Sequence, residues 1–432
     1  MKLRILTLLL IVPMFGMSQE ILTQESALSL ALENNYDIII AKNNQKQAQN
    51  NASLMNSGYL PSVTASGNTG LNNSANSFTL TDGTEASLDA ATTTSLGGQA
   101  NVNYVIFDGF GRYYNYQRLK ETYSLSELQV RQLIENTMLQ VFTQYFEVAK
   151  LSESAEIQET SLEVSAKRYK RAQLRQEYGQ STRLEMLNAQ VDLQNDSVNY
   201  LNITQQLENA KRNLNLLLGR DVNLDFEVEK DVMFDILLDP ASAEAQAIER
   251  NVQLEQAKKQ LAISTLSMKS SKSGGLPKLS FNGGYNYNFT DYGFNPNFQN
   301  LTSSGPNAGL TLSWSLFDGG RTRTAVKNSK ISIETGLIEL KKIEQNVMRD
   351  VNNAYSQYKT ARFVSETRER SLKTNQLNFA RTNDLFEKGQ ITSIEFRQAQ
   401  LNLQNAQKNY NEAKYNAKIA EMKVKQLVGE LL

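Results

Sequence analysis

The chain has 432 residues, with 45 Lys+Arg against 45 Asp+Glu, and contains neither His nor Cys. Those two zeros exclude Ser-His-Asp and Cys-His catalytic sets, an imidazole proton switch, disulfides, thiolate zinc sites and Cys-ligated iron–sulfur clusters. Zero net charge argues against a nucleic-acid partner, which normally meets a clustered basic face, and a hydrophobic content of only 40%, with Asn and Gln abundant, suits an elongated, water-facing structure better than a large globular core.

The first predicted element is an address. Lys2 and Arg4 form a positive start, Ile5–Val12 a short apolar run, and Gly16 and Ser18 offer small residues before a cut at Gln19. Residues 1–18 therefore read as a secretory signal peptide. The apolar run is too short for a membrane anchor, which needs ~20 residues. No Cys follows to carry a lipid. Nothing downstream reads as a transmembrane helix, so any span must be built from strands.

A helical segment over about 24–56 comes next. A strand candidate over 62–71, a polar stretch at 72–94 and a second strand candidate over 96–107 follow. A long helix is predicted from about 112 to 178, then a Gly turn at Gly179 and a shorter helix ending at Gly219. Residues 220–240 read as a linker or equatorial segment. The plan then repeats: helix over 241–272, strands over 279–289 and 308–316 around a polar stretch at 290–307, a long helix from about 322 to 388, a turn at Gly389 and a helix ending at Gly429. The long segments lack Pro, and Leu340, Ile343, Val347, Val351, Ala354 and Tyr358 follow helical spacing. Such rods must pack sideways on other rods, as coiled coils do.

The chain is thus written twice, as 19–219 and 241–432. Phe107-Asp108-Gly109 recurs as Phe317-Asp318-Gly319, and Gly179-Gln180-Ser181-Thr182 as Gly389-Gln390-Ile391-Thr392. Ala189-Gln190 recurs as Ala399-Gln400, always at an offset of 210 residues, while Leu60-Pro61 matches Leu276-Pro277 at 216. A generic heptad pattern would not reproduce Gly, Pro and Asp punctuation.

The strand candidates alternate with period two. Leu96, Gly98, Ala100, Val102, Tyr104 and Ile106 lie on one face, against Gln99, Asn101, Asn103, Val105 and Phe107 on the other. Leu279, Phe281, Tyr285, Tyr287 and Phe289, then Ala308, Leu310, Leu312, Trp314 and Leu316, do the same, with Val63, Ala65 and Leu71 as a weaker copy. Runs of about ten residues with this dyad pattern fit outer-membrane strands, with Tyr104, Tyr287, Phe289 and Trp314 as candidates for aromatic girdles. The alternative is a soluble sandwich with one buried face. Four strands cannot close a barrel, and an open edge is not tolerated in lipid. Several copies must then share one barrel, and two, three or four would supply eight, twelve or sixteen strands.

In order and spacing these marks resemble the TolC-type outer-membrane efflux family over nearly all of the chain after its leader. The resemblance implies a mainly α fold with membrane β: a trimeric α/β-barrel duct to which each chain gives four transmembrane strands and long coiled-coil helices. It implies an outer-membrane, non-enzymatic exit duct of a tripartite efflux or type I secretion system, with a helical tunnel projecting into the periplasm. The implied partners are two further copies, a periplasmic adaptor (membrane-fusion protein), an inner-membrane pump and outer-membrane lipid, with no nucleic acid, cofactor or metal. A periplasmic adaptor and a surface-anchored coiled-coil protein are the competing classes. The first would need a soluble β-rich domain and the second a single C-terminal barrel segment.

Residue roles follow from position. Asp108 and Gly109, and Asp318, Gly319 and Gly320, sit where strand must become helix. Gly supplies unusual dihedrals there and Asp caps the helix. Gly179, Gln180, Thr182, Gly389, Gln390 and Thr392 form the two tip turns, which by resemblance close the channel and meet the adaptor. Glu185 and Glu395, six residues past each turn Gly, resemble the family's constriction acids. Three copies would make rings of carboxylate that favour cations and could bind a divalent ion. The competing reading is a solvated Glu near a helix N-terminus. Phe386 and Ile391 stand where family gates use Tyr and Arg, so that network does not carry over.

Overall fold

The structure, a computed structural model, describes residues 21–235, 239–293 and 299–431. The predicted signal peptide at 1–18, three residues of the predicted linker (236–238) and part of the second polar stretch (294–298) lie outside the described residues.

In chain order the elements are β1 (Ile21–Leu22), α1 (Gln24–Asn34), α2 (Tyr36–Asn51), β2 (Ser62–Thr79), β3 (Glu85–Phe107), α3 (Gly111–Glu177), α4 (Arg183–Leu218), β4 (Glu227–Val228), α5 (Pro240–Arg250), α6 (Val252–Lys272), β5 (Lys278–Asp291), β6 (Asn300–Ser313), α7 (Arg321–Glu387) and α8 (Ser393–Val428). Helices α3 and α7 have 67 residues each, and α4 and α8 have 36 each. At ~1.5 Å per residue, the longer pair run about 100 Å. Each of the segments read as single helices at 24–56 and 241–272 is broken at a buried Asn, and the first ends its α-helix at Asn51, before a 3-10 turn at Leu54–Asn56. Asn35 accepts from the Asp37 and Ile38 amides at 3.0 and 3.2 Å and donates to the Leu217 carbonyl at 2.8 Å, so it caps α2 while tying it to the end of α4. Asn251 likewise donates to the Leu427 carbonyl at 3.2 Å.

Two compact units partition the chain, and neither follows a repeat. One holds the described residues through Ala41, then Val130–Val252 and from Gln345 onward; the other holds Lys42–Gln129 and Gln253–Glu344.

The second unit contains a four-stranded antiparallel sheet of order β2-β3-β5-β6. The apolar runs of all four strands fall on one face because the register aligns them: Val63 opposite Val102, Ala65 opposite Ala100, Tyr104 opposite Phe281, Leu96 opposite Phe289 and Phe281 opposite Leu310. This face is open, with Val63, Leu71, Leu310 and Leu312 between 67% and 74% exposed. The other face carries Asn, Gln, Ser and Thr, linked by Gln99 to Ser66 at 3.0 Å, Asn282 to Thr311 at 3.2 Å and Asn286 to Asn307 at 3.3 Å. Three features differ from the sequence expectation. The polar stretch at 290–307 is strand at both ends, because β5 reaches Asp291 and β6 begins at Asn300, and β6 ends at Ser313 rather than at 316. A bulge between Val105 and Phe107 sets Phe107 opposite Leu279, which moves it from the polar to the apolar face. The stretch at 72–94 is not a loop. Strands β2 and β3 continue to a turn at Leu80–Thr84, closed by Leu80 N–H to Thr84 carbonyl at 2.8 Å. Ser, Thr and Asn pair as strands when a tight Asp82-Gly83 turn sets the register, so polarity alone misplaced the strand ends. Trp314 lies just past β6 and donates to the Gly275 carbonyl at 3.2 Å.

In the first unit, parallel β1 and β4 lie beside a core of Leu22, Tyr145, Phe146, Leu214, Leu218, Phe226 and Tyr415. Phe146 stacks on Tyr415 at 5.6 Å and meets Tyr145 edge-on at 5.7 Å. The Tyr145 hydroxyl donates to the Leu22 carbonyl at 2.8 Å and accepts from the Glu229 amide at 3.0 Å; burial pushes its pKa up to about 12. It therefore bridges the two short strands. Among the described residues no helix is long and apolar enough to cross a membrane.

Candidate functional site: tip turns, strand–helix junctions and a buried ion cluster

The two strand–helix junctions are built alike. The Asp108 carboxylate accepts from the Arg112 amide at 2.9 Å and the Arg112 Nε at 3.2 Å; Asp318 accepts from the Thr322 amide at 2.9 Å and its hydroxyl at 2.6 Å. Each Asp thus satisfies free N–H groups of the following helix's first turn. The hydroxyl and amide of Thr322 hold the Asp318 carboxyl below the usual carboxylate range. Gly109, Gly319 and Gly320 all have positive φ. Gly109 is also sterically required, since a Cβ there would meet Leu276 side-chain carbons at 2.7 and 2.8 Å. Phe110, where the second repeat has Gly320, takes φ 65° and packs edge-on against Phe107 at 5.6 Å.

At the tips, Gly179 and Gly389 both adopt φ 70°. Gln180 N–H reaches the Arg175 carbonyl at 2.7 Å and Gln390 N–H the Leu385 carbonyl at 2.9 Å, which ends α3 and α7 in Schellman turns. Thr182 and Thr392 are the N-caps of α4 and α8, accepting from the Glu185 and Glu395 amides at 3.2 Å each. Gln180 and Gln390 are exposed on these turns. Glu395 completes a capping box: its carboxylate accepts from the Thr392 N–H and hydroxyl, both at 2.8 Å, and these bonds lower its pKa. Glu185 accepts from the Ser181 hydroxyl at 2.5 Å and lies 3.9 Å from Arg175. Both acids are therefore held by their own tips. Phe386 of α7 stacks on Phe396 of α8 at 4.5 Å within the second tip, and the Arg171 guanidinium of α3, 5.2 Å from the Phe386 ring, joins the first tip to it by a cation–π contact.

A larger feature, absent from the sequence expectations, joins α3, α4 and α8. Asp196 of α4, 1% exposed, receives both terminal nitrogens of Arg397 from α8, at 2.8 and 2.9 Å. It also accepts from the Ser165 and Ser161 hydroxyls of α3, at 2.5 and 3.3 Å. Arg168 pairs with Asp192, which lies 3.7 Å from Arg397, and Gln400 donates to the Ser161 hydroxyl at 3.1 Å. Burial raises the Asp196 pKa, but the bonds from Arg397 and the serines outweigh it and leave the carboxyl below its usual range. The signal was a break in repeat symmetry: Asp196, Asp192, Arg397 and Arg168 stand where the other repeat has Ala406, Asn402, Leu187 and Asn378. In the single chain, no group of three or more acidic side chains among the described residues is placed to hold a metal ion.

An antiparallel sheet with one apolar, exposed face, joined through Asp-Gly turns to helices of 67 residues, is the architecture of the outer-membrane α/β-barrel ducts. The outer membrane efflux protein family model matches residues 27–220 and 245–430, and the chain belongs to that family. It is a passive outer-membrane channel and not an enzyme. The chain is 21% identical to the outer membrane efflux protein BepC of Brucella suis biovar 1 over 410 residues, covering 95% of this chain and 86% of the relative. It is 22% identical to the outer membrane protein TolC of Vibrio cholerae over 303 residues, covering 69% and 68%. Its fold matches the CmeC outer membrane channel of Campylobacter jejuni with a TM-score of 0.78 at 17% identity, covering 95% of this chain and 86% of that one.

Proposed function

We propose that three copies assemble around one axis and form the exit duct of a tripartite efflux or type I secretion system, receiving cargo from an inner-membrane pump through a periplasmic adaptor. The observation that carries this reading is the sheet. Among the described residues β2 and β6 each pair on one side only, and one face is apolar and exposed. In lipid such edges must be satisfied, so neighbouring copies supply the missing partners and three chains give a closed barrel of twelve strands. Residues 1–18 act as a cleaved leader, and 19–219 and 241–432 are the two repeats joined by 220–240.

The tip turns at Gly179, Gln180 and Thr182 and at Gly389, Gln390 and Thr392 meet the adaptor and narrow the channel. Glu185 and Glu395 form carboxylate rings there; the capping box that fixes the Glu395 carboxylate on the tip supports its part in the ring. Reconstitution in planar bilayers tests both levels. A trimer that resists SDS until heated, conducts, favours cations and is blocked by divalent ions is expected. Loss of that block in the double variant Glu185→Ala and Glu395→Ala supports the rings, whereas unchanged block and selectivity remove them. A detergent-free, soluble monomer would overturn the assembly itself.

A further inference from the structure

The two tips are not electrically equivalent. Residues 163–180 carry five basic side chains (Lys167, Arg168, Lys170, Arg171, Arg175) against Glu163 and Glu177, a net +3. The matching 373–390 carries Lys373, Arg381 and Lys388 against Asp384 and Glu387, a net +1. Asp384 neutralises that second tip directly, 2.9 Å from Lys388 and 3.5 Å from Arg381. In the first tip the position matching Asp384 is Leu174, and the positions matching Lys167 and Lys170 in the second tip are Leu377 and Ala380. Arg168 is buried against Asp192 and takes no part. The remaining four cations line a groove of about 330 Å³ on the last turns of α3, floored by Leu174 and Tyr178, which are 45% and 77% exposed; Arg175 is 3.9 Å from Glu185 and Arg171 lies over the Phe386 ring, which leaves Lys167 and Lys170 to face a partner. Lys170 is exposed, and the one carboxylate near Lys167, Glu163 at 3.8 Å, is itself exposed and adds little.

We propose that this basic, aromatic-floored groove on the first repeat's tip is the docking site for an acidic helical hairpin of the adaptor, and that the second tip does not share the preference. The inference rests on the tripartite reading above and names the chemistry of its partner. Carboxylates on the incoming hairpin pair with Lys167 and Lys170 at the rim, while its apolar residues cover Leu174 and Tyr178. Rim charges of this kind set partner choice and encounter rate, and they fade with salt.

The test uses the full-length trimer in detergent and two synthetic helical hairpins that are identical except for Glu or Lys at the tip. Binding is followed by fluorescence anisotropy at low and physiological ionic strength. The acidic hairpin should bind at least about tenfold more tightly than the basic one, and raised salt should narrow the gap. Lys167→Glu with Lys170→Glu should abolish the preference, and Lys373→Glu with Leu377→Glu on the second tip should leave it intact. Equal binding of both hairpins, loss only with the second-tip variant, or dissociation of the trimer by Lys167→Glu with Lys170→Glu would overturn the proposal. Channel conductance of the same wild-type preparation separates the two levels. A conducting trimer indifferent to hairpin charge refutes the docking site alone, whereas failure to conduct refutes the duct.

Discussion

Asp196→Ala gives the sharpest stability prediction. The substitution leaves the Arg397 guanidinium, itself only 14% exposed, without its bidentate partner and removes the acceptor of two serine hydroxyls. Deleting one member of a buried pair costs about 3–5 kcal/mol. Asp192, 3.7 Å from Arg397, still offers partial compensation, so the lower end applies, about 3 kcal/mol. At 1.36 kcal/mol per decade this is roughly 150-fold. The readout is amide hydrogen exchange along the first half of α8, where local opening breaks the cluster. Amides near Arg397 and Gln400 should exchange roughly 150-fold faster in the variant. Arg397→Ala should do the same, and the double variant should lose far less than the sum, because the two residues act as one unit. Exchange within about threefold of wild type, or additive single effects, would refute the claim that this pair fastens α8 to the first repeat's hairpin.

Because the Asp196 pKa is lowered on folding, its stabilisation is complete above the ordinary value of 3.8 and is lost as pH falls through the lowered value. α8 exchange, corrected for intrinsic rate, should therefore stay flat from neutral pH down to about 3.8, rise as pH falls further and level off beneath the lowered value. Gly109→Ala should block assembly more than Gly319→Ala, since both strain a positive φ by about 1 kcal/mol but only the first drives a Cβ into Leu276; the yield of heat-modifiable oligomer measures this. Glu395→Gln should keep the capping box and so the stability of α8, while Thr392→Ala should lose about 1 kcal/mol by thermal melting. Leu310→Arg on the apolar face of β6 should cost about 2 kcal/mol and deplete the protein from the outer-membrane fraction, while Thr311→Arg on the opposite face should not.

Much of this architecture is legible in the sequence because its periodicities are long. The helix expected over 112–178 runs from Gly111 to Glu177, and the one expected over 322–388 runs from Arg321 to Glu387. Uninterrupted rods leave few competing patterns. The apolar faces of the strands are legible for the same reason, because a period of two survives whatever the pairing partner. The exceptions come from contacts that the local pattern does not encode. Phe107 changes face because one bulge at Ile106 shifts the phase, and the β2–β3 hairpin outruns its apolar part because backbone pairing tolerates Ser, Thr and Asn. Asp196 and Arg397 are 201 residues apart, and only their departure from repeat symmetry marks them. Asn35 and Asn251 resemble ordinary helix interiors until the carbonyls of Leu217 and Leu427 approach.

The sheet must be completed by other copies, and the chain's lack of Cys makes that directly measurable. Single cysteines are paired along the edge strands, one in β2 among 62–70 and one in β6 among 302–312, and oxidised in intact outer membranes. Antiparallel edges in register bring Cα atoms to about 5 Å, within disulfide reach. A subset of pairs should yield covalent dimers and trimers on non-reducing gels, following a two-residue ladder along the strands. Monomers at every pair, or β2–β6 disulfides formed within one chain, would contradict it.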